Sequence, residues 1–229
     1  MLETDLRSAV PLRTLDDAAL ADIAGHAAER RLAPGEPLFE QGEPARRFYL
    51  VAEGRLKVTM LTRDGKQFLV RLLQPGDFCG LAFALDRPDF PASCHAVVAA
   101  RVVGWPTTYW QALAEEHPGI GISIALSLGR YVEDMHRRMS ELATEPVERR
   151  VAHAVLRLAR DAGKPTDGGV SVDFPVTRQD LAEMAGTTLH SVSRIVSAWS
   201  DRGIVRRGRA RIVVSDLAGL ERIARGGEG

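Results

Sequence analysis

The chain has 229 residues, with 30 Lys and Arg against 30 Asp and Glu, 45% apolar and 26% charged side chains, which excludes disordered, collagen-like and purely coiled-coil classes. Cys79 and Cys94 are too few for a disulfide framework and form no Cys-x-x-Cys zinc pair. No run of about 18 uncharged apolar residues occurs, and MLETDLRSAVPLRTLDD is not a basic-then-apolar leader, so a cytoplasmic protein with no membrane partner is expected.

In chain order, LDDAALADIAGHAAE, with Asp16 or Asp17 near its start, predicts a short amphipathic helix. From about Arg31 to Pro106, short apolar runs alternate with turn signals at Gly35, Gly42, Gly54, Asp64-Gly65 and Pro75-Gly76. Residues 48–51, 56–60, 68–72 and 97–105 read as strands, and Asp64-Gly65 as the turn of a hairpin. Such a series predicts a small antiparallel barrel or roll. Residues 108–117 read as a short helix and 118–143 as a long one opened by Pro118. On the long helix Ile124, Leu128, Tyr131, Met135 and Leu142 recur in steps of four and three, with Arg138 out of type, which predicts the seam of a homodimer. The alternative is a stripe that packs on the chain's own roll. Glu133, Asp134, Arg137 and Glu141 read as the solvated surface of that helix.

Cut near Pro146, the neutral total separates into two signs. Residues 1–145 carry 16 basic and 20 acidic side chains, a net of −4, and 146–229 carry 14 and 10, a net of +4. The basic half points to a polyanion partner. It opens with a helix over about 146–160, followed by the loop AGKPTDGG and a short strand at 170–174. Thr177 and Asp180 mark a helix start, Leu181, Met184 and Ala185 its inner face, and Gly186 a sharp turn. Thr187 or Thr188 then caps a second helix whose buried side is Val192, Ile195, Val196 and Trp199. This is a helix-turn-helix. Opposite its apolar side lie His190, Ser191, Ser193 and Arg194, placed to meet base edges and phosphates of duplex DNA, with Arg178 at the first helix start placed for a phosphate. GIVRRGRARIVV reads as a two-stranded wing, with Arg207 and Arg209 among the arginines that grip the backbone.

Taken together, PGDFCG, LAFALDRPDFPASCHAVVAARVVGW, the long helix to Leu142, PVERRVAHAVLRLA and TRQDLAEMAGTTLHSVSRIVSAWSDRGIV resemble the CRP/FNR superfamily of bacterial transcription regulators over nearly the whole chain. The resemblance implies an α+β protein: an N-terminal cyclic-nucleotide-binding-type β-roll (1–117), a dimerisation helix (118–145) and a C-terminal winged helix-turn-helix (146–229). It also implies double-stranded DNA, a second copy of the chain and RNA polymerase as partners, with Ser193 and Arg194 at base-reading positions. Many members carry a glutamate where this sequence has His190.

The resemblance further places an effector pocket near Gly80, Leu81, Ala92, Ser93, Leu128, Met135 and His136. Members that bind cyclic AMP have a Gly-Glu and an Arg-Ser pair where this sequence has Gly80-Leu81 and Ala92-Ser93, so cyclic AMP is not the expected effector. No iron–sulfur cluster is expected, because residues 1–78 lack cysteine. FALDRPDFPASCHAVV is most similar to the nitric-oxide-responsive, denitrification-type branch, which makes haem a candidate cofactor, with His95, His136, Met135, Cys79 and Cys94 as candidate ligands. The alternatives are an effector-independent or redox-thiol-responsive regulator, and, from a different class, a cupin-like enzyme or a scaffold module. The roll has one histidine, His95, which cannot build a two-histidine, one-carboxylate metal site, and no G-x-S-x-G or P-loop occurs, so catalysis is not expected.

Overall fold

The computed structural model describes residues 6, 7, 9, 12, 13, 15–65, 67–208 and 211–227. Helix α1 (Asp17–Gly25) begins where the Asp16 carboxylate accepts from the Ala19 N–H at 2.8 Å. Eight strands follow: β1 (Ala28–Leu32), β2 (Pro37–Phe39), β3 (Arg47–Glu53), β4 (Leu56–Leu61), β5 (Gln67–Leu73), β6 (Phe78–Cys79), β7 (Ser93–Ala96) and β8 (Ala100–Pro106). They form two antiparallel four-stranded sheets, ordered β1-β8-β3-β6 and β2-β7-β4-β5. The expected roll is present, and β4 and β5 make the hairpin announced by Asp64-Gly65, with Gly65 at φ +79°. Short β2, β6 and β7 carry too few residues to show an alternation, which is why sequence periodicity passes over them.

The two-residue period of β3 and β8 explains how one sheet serves two cores. Tyr49, Val51, Ala100 and Val102 face the second sheet, where they meet Leu38, Phe39, Leu56, Leu73, Cys94 and Ala96. Phe48, Leu50, Ala52, Val103 and Trp105 face the other way, onto helices α1, α2 (Tyr109–Glu116) and the first turns of α3 (Pro118–Thr144). The Trp105 indole donates to the Ile23 carbonyl at 2.8 Å, so the ring is fully buried with its one polar group satisfied.

The chain divides into two compact units, residues 1–133 and 134–229, and the division falls within α3, ahead of Pro146. In the second unit the end of α3 is tied to α4 (Val147–Ala162) by Glu141, both of whose oxygens accept from Arg157 Nη1, at 2.7 and 2.9 Å. Glu141 is therefore buried and paired, a correction to its expected place on the solvated face of α3. A buried carboxylate persists only with such a partner.

The apolar stripe of α3 needs a second correction. Ile124 is 4% exposed and belongs to the core beneath the first sheet, and Leu128 packs on the same cluster. A side chain already covered by its own domain has no area left to give a second copy. The large apolar side chains that α3 does leave open are Ile122, Leu126, Val132, Met139 and Leu142. At 100° per residue Ile122 and Leu126 lie on the side of the helix roughly opposite Ile124 and Leu128, with Val132 and Met139 between the two sides.

The remainder of the second unit is α4, β9 (Gly163–Thr166), β10 (Gly169–Val172), α5 (Arg178–Ala185), α6 (Leu189–Asp201), β11 (Val205–Gly208), β12 (Arg211–Val214) and α7 (Leu217–Ala224). The four strands pair in the order β11-β12-β10-β9. Part of AGKPTDGG, expected as loop, is strand β9, paired residue by residue with β10 across a turn at Asp167-Gly168.

Candidate nucleic-acid interface

The α5–α6 pair is set by its own local chemistry. Thr177 Oγ1 accepts from the Asp180 N–H at 3.0 Å, and Asp180 accepts from the Thr177 N–H at 2.9 Å, a complete reciprocal cap. Leu181, Ala182 and Ala185 form the buried face of α5, while Met184 is only half-buried. Gly186 ends the helix at φ +59°, a left-handed conformation costly for any residue with a Cβ, and a Cβ there would also meet Leu142 Cδ2 at 2.5 Å. The Thr187 N–H donates back to the Ala182 carbonyl at 3.0 Å, so Thr187 closes the turn and Thr188 is the cap of α6. Thr188 Oγ1 accepts from the Ser191 N–H at 3.2 Å and lies 3.0 Å from Ser191 Oγ, which engages Ser191 in the cap.

On α6, Val192, Ile195, Val196 and Trp199 are buried, and the Trp199 indole donates to Glu148 at 2.8 Å. The opposite side carries His190 and Arg194, both exposed and one helical turn apart, with Ser193 half-buried in the adjoining row. Arg178 is exposed in the first turn of α5. Arg207 lies on β11 of the wing, and Arg209 lies outside the described residues.

One positioning residue escapes sequence reasoning. Arg150, on α4, donates from Nε to the Ala185 carbonyl at 2.9 Å, from Nη2 to the Gly186 carbonyl at 3.2 Å and from Nη1 to the Glu145 carbonyl at 2.9 Å. It satisfies carbonyls left over at the end of α5 and pins the turn to the preceding helix. Its partners are distant in sequence, so no motif signals it.

In the roll, the expected pocket residues pack against neighbouring protein groups. Gly80 has φ +74°, and a Cβ built on it would lie 3.3 Å from the Phe90 ring, which itself stacks on Phe39 with centroids 3.9 Å apart. Ala92 is buried, Ser93 Oγ accepts from the Gln41 N–H at 2.9 Å, and Leu81 packs on the helical core. Met135 and His136 belong to the second unit, Met135 half-buried and His136 exposed.

The candidate haem ligands of the roll stand in different surroundings. The thiol of Cys79 is held well above its ordinary range by its hydrogen bond to Cys94 and by burial. His95 Nε2 lies 3.1 Å from Glu40 Oε1 in a half-exposed pair. Among the described residues no three His, Cys, Asp or Glu side chains gather as a metal site. Cys79 is expected to resist iodoacetamide in the native protein at pH 8 and to react on unfolding. Because its folded pKa lies above the unfolded value, the stability it contributes is present below that value, about 8.5, and is lost as pH rises past it. Mass spectrometry of alkylated peptides checks the first point, and rapid native labelling of Cys79 would contradict it.

Comparison with known proteins gives two domain matches: a Crp-like helix-turn-helix domain over residues 149–223 and a cyclic nucleotide-binding domain over 29–117. The chain is 32% identical over 206 residues to the cyclic AMP receptor protein of Thermus thermophilus, covering 90% of this chain and 92% of that one. It is 26% identical over 180 residues to the cAMP-activated global regulator CRP of Escherichia coli, covering 77% and 84%. Among solved structures, a CRP-family transcriptional regulator of Thermus thermophilus matches with a TM-score of 0.74 at 27% identity, over 86% and 97% of the two chains. FixK2 from Bradyrhizobium japonicum shares the fold, with a TM-score of 0.74 at 23% identity, over 85% and 96%.

Proposed function

Because the chain belongs to the CRP/FNR family of transcriptional regulators, we propose that it works as a homodimer on a pseudo-palindromic DNA site. Each α6 enters a major groove, and the two lie about one helical turn of DNA apart. The single observation that carries this reading is the two-sided character of α6: Val192, Ile195, Val196 and Trp199 are buried, while His190 and Arg194 stand open beside Ser193. Nothing in packing requires a histidine and an arginine on that side. The dimer rests on the open stripe of α3, with Ile122 64% and Leu126 63% exposed, because unpaired side chains of this size on one helix face seek a second apolar surface. RNA polymerase is the expected partner of the DNA-bound dimer, as for regulators of this family.

The roll takes an effector other than cyclic AMP. Neither an arginine nor a glutamate stands at the two pairs that would hold a cyclic phosphate and ribose. Cys79 gives haem little support, since its side chain is buried beside Cys94. Effector occupancy shifts the population in which the two reading heads match the spacing of the grooves.

The test is binding of the full chain to a pool of randomised duplexes. A partly symmetric sequence is expected to be enriched, its affinity to fall steeply as salt rises, and cyclic AMP to leave that affinity unchanged. Enrichment of no sequence would sink the reading, and a large rise in affinity with cyclic AMP would sink the statement about the effector.

A further inference from the structure

We propose that Leu189 is a specificity-determining residue that reads the C5 methyl group of a thymine in each half-site. The inference rests on the DNA-binding reading of α6 and adds to it one base identity and one residue that the polar face does not supply.

Leu189 opens α6, directly after the Thr188 cap. It is 50% exposed, whereas every other large apolar side chain of that helix is 9% exposed or less. It shares a row of the helix with Ser193, one turn on, beside the row of His190 and Arg194. The first turn of a recognition helix comes nearest the base edges. There the polar side chains read donors and acceptors, but the one feature of thymine without hydrogen-bonding capacity, its methyl group, is read by apolar contact. An open leucine flanked by a histidine and an arginine matches a base edge that presents a methyl group next to acceptors. It does not match a protein surface, which would offer its own apolar residues to an apolar patch larger than one side chain.

The experiment uses the full chain and the duplex enriched from the random pool. Each thymine is replaced in turn by deoxyuridine, which lacks only the C5 methyl. At one thymine in each half-site the replacement is expected to weaken wild-type binding about fourfold, and roughly 15-fold when both half-sites are changed, the worth of one buried methyl group. Leu189→Ala, which alters an exposed side chain and leaves the melting transition in place, is expected to bind thymine and deoxyuridine duplexes equally. The inference is overturned if no thymine responds, or if the same penalty persists in Leu189→Ala. If no sequence is enriched at all, the regulator reading fails and this inference falls with it. That outcome is distinct from a selected site that is indifferent to deoxyuridine.

Discussion

Replacing Arg194 with Ala is expected to remove most of the sequence-specific DNA affinity while leaving the fold and the oligomeric state unchanged. Arg194 is exposed on α6, and no core residue depends on it. A bidentate arginine–guanine pair is worth about 1–3 kcal/mol of discrimination, so two symmetric half-sites lose about 2–6 kcal/mol, or roughly 30-fold to 20,000-fold in affinity. Residual binding then comes mostly from phosphate contacts, so the variant retains a salt-dependent affinity that differs far less between the selected and scrambled duplexes. Arg194→Lys is expected to fall nearly as far, because an ammonium cannot make the planar two-pronged contact. Fluorescence anisotropy on both duplexes measures the difference. Full affinity of Arg194→Ala for the selected site would overturn the assignment of α6 as the reading helix.

A glutamate at Leu126 and a glutamate at Ile124 stand two residues apart on α3 and are expected to act in opposite ways. Leu126 is 63% exposed, so Leu126→Glu places its charge in water and disturbs nothing within the chain. In a dimer it sets two like charges on the seam, and light scattering is expected to report a single-chain mass with an unaltered melting transition. Specific DNA affinity falls by on the order of 100-fold or more, since each head then binds one half-site alone. Ile124→Glu instead puts an unpaired carboxylate among Phe48, Trp105 and Ile120, at a cost on the order of 4 kcal/mol or more, and the first unit loses its cooperative melting. If Leu126→Glu keeps the mass of the unmodified protein, the exposed stripe is not the seam.

The capping box of α5 and the turn at Gly186 were legible because their chemistry is local. A hydroxyl, an acid three residues on and a glycine at the helix end act through neighbours in the chain. The roll was legible from its punctuation by glycine and by Asp64-Gly65, though not strand by strand. The open face of α6 was legible in part. His190 and Arg194 stand open as expected, but Ser191 is drawn into the Thr188 cap, and the open leucine beside them is invisible to a search for polar side chains. Arg150, which clamps the turn through the Ala185 and Gly186 carbonyls, carries no signal because its partners lie 35 and 36 positions away.

The long helix shows most clearly where the two levels part. A repeat of three and four residues establishes that α3 is amphipathic, and the residues of the second half establish a basic, DNA-reading fold joined to an acidic roll. Those conclusions follow from the sequence, because period, caps and net charge are properties of consecutive residues. Which side of α3 meets its own roll and which is left open is a tertiary matter. Two apolar rows run along the helix, and only the position of sheet β1-β8-β3-β6 decides that Ile124 is covered and Ile122 is not. The same holds for Glu141, which belongs to a polar row by its place in the chain yet lies buried, because α4 brings the Arg157 guanidinium to it. Periodicity ranks the faces of a helix by composition, whereas burial depends on what is folded against each face.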